Sequence, residues 1–172
     1  GQNQQGNLAF NNTNILDELD LFPSANLIYE LTDKENLRTS YSRTTARPSF
    51  KEASVAQIFD PVTNRLFIGN INLVPTYVNN IDLRYENFLD KGEMFAVSAF
   101  YKDFKDPIEL TFFESAPDQL TPQNLGNAKV YGIEFELRKN LGYLLAGLEH
   151  LNFNLNASFI KSELKMADSE YQ

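Results

Sequence analysis

Three glutamates in strand-like segments, Glu30, Glu86 and Glu136, have the residue type for acid–base chemistry. Glycoside hydrolysis would need two of them held roughly 5–10 Å apart. Each lies on a different segment, and no surrounding motif supports such a pair. Asp103, Asp106 and Glu109 have the charge for calcium but lack the spacing and glycine of a calcium loop, so solvation is the expected role. His150, beside Glu149, is the single histidine and there is no cysteine. Thiolate sites, multi-histidine zinc sites and most nucleophilic triads therefore cannot be built. No enzyme activity, metal or cofactor is expected.

Binding chemistry has a few candidates. Arg47-Pro48-Ser49-Phe50 heads a long loop, where Arg47 could meet an anionic ligand, with Phe50 a further candidate contact. The plainer account is an arginine paired within its loop and a proline that stops strand pairing. Phe112 and Phe113, with Phe104 and Tyr101 nearby, could form an aromatic platform for sugars. An aromatic girdle at a lipid–water interface is the commoner role. These residues, Arg47, Phe50, Phe112 and Phe113, are the candidate ligand contacts.

The elements that would position them are strands. In 151–159, Leu151, Phe153, Leu155, Ala157 and Phe159 alternate with Asn152, Asn154, Asn156 and Ser158. The same period-two pattern runs through 130–138 and 81–87, more loosely through 25–31 and 37–43, and 93–104 is apolar on both faces in its middle. On a helix these patterns would spread apolar side chains all round. The expected fold is an all-β antiparallel meander of about six strands.

The connections alternate in length. Short turns at Thr32–Asn36, Leu89–Gly92 and around Asn140–Gly142 separate long, proline-bearing stretches at 44–78 and 105–127. Alternation of tight turns with extended loops is the rhythm of an outer-membrane barrel, although a soluble β-sandwich also mixes loop lengths. The polar rows hold opposite charges, Arg84 with Asp82 and Glu86, and Arg138 with Glu134 and Glu136. A lumen or an ordinary wet sheet surface would accept them equally. A net charge of −8 with scattered basic residues argues against nucleic acid. No apolar run approaches the roughly 20 residues of a membrane helix, which leaves a barrel open. Six strands fall short of the roughly 8 that close the smallest barrels, so the segment is expected to be an excerpt, with a loop-like lead-in over 1–24, a partial barrel over 25–164 and a loop-like tail over 165–172.

Several phrases carry a resemblance. Pro23–Asp33 leads into Leu37-Arg38-Thr39-Ser40-Tyr41-Ser42-Arg43-Thr44-Thr45-Ala46-Arg47-Pro48-Ser49-Phe50. Gly69-Asn70 and Leu73–Tyr77 precede Asn80–Glu86. Gly92-Glu93-Met94 opens Val97–Lys102, followed by Asp106–Glu109 and Val130–Glu134. In this order, over about 25–163, they resemble the barrels of TonB-dependent receptors. The resemblance implies a barrel of about 22 strands in the outer membrane of a Gram-negative bacterium, plugged by an N-terminal domain and importing a siderophore, cobalamin or a glycan. Implied partners are outer-membrane lipid, the cargo, and an inner-membrane energy-transducing complex that works through the plug. The segment would be a late-middle part of the barrel, with plug and final strands outside it: Tyr171 follows Lys165, Asp168 and Glu170 and closes no apolar strand. The competing reading is a soluble β-sandwich adhesion or glycan-binding module.

Overall fold

The computed structural model describes residues 19–89, 92–113, 115–143, 147, 148 and 150–165. Most of the expected lead-in, all but the first residue of the expected tail, and Asp90 and Lys91 of the second short turn lie outside the described residues.

Six long strands form one antiparallel sheet in chain order: β1 (Ser24–Thr32), β2 (Glu35–Ala46), β5 (Thr76–Phe88), β6 (Met94–Lys105), β9 (Asn127–Asn140) and β10 (Asn152–Lys165). These are the six segments that alternate in sequence; four are extended at both ends, β6 is shifted by one residue, and β10 starts at Asn152 and runs on to Lys165. The short connections sit at one end of the sheet. Gly92, at φ 79°, turns β5 into β6 in a left-handed conformation that other residues resist, and Leu89 N–H donates to the Glu93 carbonyl at 2.9 Å.

The long connections are not irregular. The first contains β3 (Gln57–Asp60) and β4 (Arg65–Ile68), the second β7 (Ile108–Phe113) and β8 (Ala116–Asn124). All four join in a second sheet, ordered β3-β4-β8-β7, whose central pair is parallel through Leu66–Gln119 and Phe67–Leu120. Loops from separate hairpins thus build one body above the end of the long strands.

Register assigns every side chain of the large sheet to a face, because residues paired across a ladder point the same way. Leu27, Thr39, Leu83, Ala99, Ile133 and Phe159 form one cross-strand row. Tyr29, Leu37, Tyr85, Val97, Phe135 and Ala157 form the next on that face. The opposite face holds Arg38, Arg84, Ser98, Glu134 and Ser158 in one row and Glu86, Ala96, Glu136 and Asn156 in another.

There is almost no interior. Buried apolar side chains among the described residues are Val78, Met94, Ala96 and Leu125, whereas Leu27, Ile81, Leu83, Ile133, Phe153 and Phe159 are between 45% and 69% exposed. A single-layer sheet with so much bare apolar surface cannot gain stability from burial in water; one face needs another apolar phase. Buried side chains also gather where the second sheet meets the first, at Thr76, Thr121, Pro122 and Leu125.

Candidate functional site

On the polar face an ionic ladder crosses the sheet. Arg38 Nε donates to Glu86 Oε2 at 2.6 Å, and Arg84 Nε to Glu86 Oε1 at 2.8 Å. Arg84 reaches on to Ser98 Oγ at 3.0 Å and to Glu136 Oε2 at 2.8 Å, and Arg138 donates to Glu136 Oε1 at 2.8 Å. Alternating sign lets each carboxylate serve two guanidiniums, so no charge is left bare on a half-buried surface. The within-strand pairs, Arg84 with Glu86 and Arg138 with Glu136, are visible in the sequence. Arg38 and the Arg84–Glu136 bridge emerge only with register.

The second sheet supplies the ligand-like surface. Ile58, Phe67, Leu120 and Phe112 are paired in succession across its four strands and so share one face. Two cations lie over this row: Lys51 Nζ is 4.3 Å from the Phe67 ring centre and the Arg65 guanidinium 5.2 Å from that of Phe112. The row is positioned by its hairpin turn. Asp60 accepts from the Val62 backbone N–H at 2.9 Å and the Thr63 hydroxyl at 2.8 Å, and Asn64 adopts φ 54° before β4 begins. The Thr63 hydroxyl, then the Val62 N–H, hold the Asp60 carboxyl below its ordinary range. Earlier in the same loop, the Ser49 backbone N–H, then its hydroxyl, lower that of Glu52.

Asn124 joins the two long connections. Its Oδ1 accepts from Val74 N–H at 2.9 Å, and its amide donates to the carbonyls of Val74 and Asp106 at 2.9 and 2.8 Å. Asn70 adds a bond to the Pro122 carbonyl at 3.1 Å.

Phe112 falls within the aromatic–cationic row; Phe113 follows a register shift in β7 and pairs with Ala116. Arg47 follows β2 directly, and Phe50 is 99% exposed beyond it. The cations over the row are Lys51 and Arg65, which sequence reasoning passed over. A turn signal was available there, Asp60-Pro61 to Asn64 between Gln57–Asp60 and Arg65–Ile68. Of the expected girdle aromatics, Tyr101 lies in a row with Tyr41, Ile81 and Tyr131 on the apolar face, at the end nearest the second sheet. Phe104 pairs with Val78 and Ala128 on the other face, and Phe112 lies beyond the long strands. Among the described residues, no cluster of three His, Cys, Asp or Glu side chains has metal-binding geometry.

A family model for the TonB dependent receptor-like β-barrel matches residues 1–171. The chain belongs to this family. Solved structures agree on the fold. The siderophore receptor PirA from Pseudomonas aeruginosa superposes with a TM-score of 0.70 at 19% identity, over 83% of this chain and 28% of that one. The ferric enterobactin receptor PfeA of the same organism gives 0.62 at 20% identity, over 81% of this chain and 22% of that one. The chain spans about a quarter of the length of these receptors. Among curated proteins, no relative matches.

Membership gives the two faces of the large sheet their meaning. In barrels of this kind the apolar face meets lipid and the polar face lines the lumen. From Leu151, just before β10, to Phe159 the apolar run covers eight residue steps, about 27 Å of extended chain. A strand tilt of roughly 40° reduces this to about 20 Å of height, close to the apolar band of a bacterial outer-membrane barrel.

Proposed function

We propose that the chain contributes barrel wall and outer ligand-facing loops to a TonB-dependent outer-membrane receptor that imports a scarce nutrient, a siderophore, cobalamin or a glycan. The observation that carries this reading is the pairing of a lipid-suited face and a charged face on one antiparallel meander, with the shorter connections at one end and a built loop sheet at the other. The barrel portion is proposed to run over 25–164. Closure requires further strands, since β1 and β10 leave free edges that lipid cannot satisfy. Outer-membrane lipid, the cargo and an inner-membrane energy-transducing complex are the proposed partners, and no catalytic role is assigned.

Within the outer loops, Phe112 with Arg65 and Lys51 forms the proposed cargo contact, and Arg47, Phe50 and Phe113 are further contacts around it. An apolar row overlaid by cations suits a ligand with a flat apolar part and negative charge.

The test uses the full receptor in its host. It should fractionate with the outer membrane, and deleting its gene should impair growth when one of the three cargo classes is limiting. Phe112→Ala with Arg65→Ala should weaken binding of that cargo while leaving receptor abundance unchanged. A receptor found in the periplasm, or a deletion without effect under every limitation, would end the proposal.

A further inference from the structure

The second sheet ends in a strand with a bare edge. In the order β3-β4-β8-β7, β8 has neighbours on both sides and β7 on one. Which main-chain groups of β7 are free follows from the prolines. Leu110 stands opposite Pro122, which has no N–H to give. The Pro122 carbonyl turns the other way and accepts from Asn70 Nδ2 at 3.1 Å. Leu125 N–H donates to the Pro107 carbonyl at 2.8 Å, and antiparallel ladders alternate bonded and non-bonded pairs. Glu109 and Thr111 therefore bond to β8, whereas Ile108, Leu110 and Phe112 turn their N–H and C=O groups to the open side. Among the described residues nothing bonds to these groups, which run along about 14 Å of strand.

Exposed edges are normally blunted by proline, lysine, a short strand or a covering loop. The other edge of this sheet, β3, is four residues long and runs into Pro61. Between Ile108 and Phe112, β7 has neither proline nor lysine, and its one charge is Glu109. Leu110 and Phe112 are 50% and 53% exposed, and the register shift comes only after Phe112. A bare, extended, apolar edge is a template for one more strand.

The neighbouring side chains select what that strand carries. Leu110 and Phe112 lie on the face that also holds Phe67 and Ile58. The Arg65 guanidinium stands 5.2 Å from the Phe112 ring centre. It is exposed and, among the described residues, has no carboxylate within ion-pair distance. Glu109, on the opposite face, is exposed and equally without a cation.

We infer that β7 accepts an extended segment of a separate protein at the cell surface as a fifth strand, with apolar and acidic side chains on the Arg65–Phe112 face and a basic one beside Glu109. Free donors and acceptors repeating at strand spacing match a polypeptide backbone and give affinity for any extended segment. The two unpaired charges decide which segment fits. The inference rests on the outer-membrane reading for the side on which the partner is met, and is independent of cargo.

The experiment uses the full receptor in detergent and a fluorescent peptide of about seven residues, alternating valine and glutamate on one face with threonine and lysine on the other. Anisotropy should show saturable binding, lost when the peptide is N-methylated on the residues that face the edge. Leu110→Pro removes an edge donor without touching the β7–β8 ladder and should weaken binding about tenfold. Arg65→Gln keeps the edge and should weaken it about two- to fivefold, with loss of preference over a peptide carrying lysine in place of glutamate. A heat-dependent gel shift verifies folding, and Arg65→Gln serves if Leu110→Pro does not fold. Hydrogen exchange reads the edge directly. The amides of Ile108, Leu110 and Phe112 should exchange fast in the free receptor and slow on adding peptide, with those of Glu109 and Thr111 protected throughout. Protection before peptide is added would mean that the receptor's own chain occupies the edge, and would overturn the proposal. So would absence of saturable binding, equal binding of the N-methylated peptide, or an unaffected Leu110→Pro variant. Intact peptide binding in a receptor that fails every cargo test would count against the function proposed above and leave this inference standing.

Discussion

Replacing Glu86 by glutamine tests whether the luminal ladder holds neighbouring strands together. Glu86 has a side chain only 9% exposed and accepts from Arg38 on β2 and Arg84 on its own β5. A hydrogen bond to a charged group is worth about 1.5–3 kcal/mol when shielded from water. Arg38 is 44% exposed and Arg84 30% exposed, so solvent discounts both bonds, the Arg38 bond more. Glutamine keeps one acceptor oxygen but turns an amide N–H toward a guanidinium and leaves Glu136 to serve the remaining charge. The expected loss is about 2 kcal/mol, against about 0.5–1 kcal/mol for Arg38→Gln alone. The assay is reversible urea unfolding of the full barrel refolded into phospholipid vesicles, with a double-mutant cycle for the Glu86–Arg38 pair. A loss under about 0.5 kcal/mol for Glu86→Gln, or no coupling in the cycle, would refute the reasoning that these charges are partnered and partly shielded.

Other consequences can be measured on the same protein. Gly132→Ala would place a Cβ 2.5 Å from the Phe159 carbonyl oxygen and 2.9 Å from the Phe100 ring, so it should cost about 1–3 kcal/mol in the same unfolding assay. Adding Phe100→Ala should recover only part, because the backbone contact stays. Asn124→Ala removes two hydrogen bonds to Val74 between the long connections and a third to Asp106 within the second; spin-label distances between the β3–β4 and β7–β8 hairpins should broaden while those within the large sheet stay narrow. Glu52 has a carboxyl pKa held below its ordinary value by Ser49, so its bonds stabilise the 47–56 loop above the ordinary carboxylate range and are lost as pH falls through the lowered value. A spin label on Phe50→Cys should gain mobility over that acid window, and Ser49→Ala should move the transition to higher pH.

The six long strands were legible because each carries several periods of alternation, and because turns such as Thr32–Glu35 bring them together in chain order. The four short strands were not. Gln57–Asp60 and Arg65–Ile68 hold only two periods each, and Pro117 and Pro122 in β8 read as loop residues. The structure accommodates them because β4 pairs with β8 only at Gln119 and Leu120, and the buried Pro122 needs no ladder donor there. The ionic ladder was half visible for a related reason. Alternation puts Arg84 beside Glu86 on one strand, whereas Arg38 meets Glu86 only once β2 and β5 are in register. In the candidate ligand surface, Phe112 stood out as an aromatic in a long connection. Lys51, Arg65 and Phe67 depended on a parallel pairing between distant loops, which no local pattern encodes.

The central claim is that Leu83 faces lipid and Arg84, one residue along, faces the lumen. The direct measurement labels Leu83→Cys and Arg84→Cys separately with a small fluorophore in the full receptor, reconstituted into vesicles with bromines on the acyl chains. Brominated lipid should quench the label at 83 and leave the one at 84 nearly unchanged. Quenching at 84 with none at 83, or at neither position, would contradict the assignment of faces and with it the barrel-wall account.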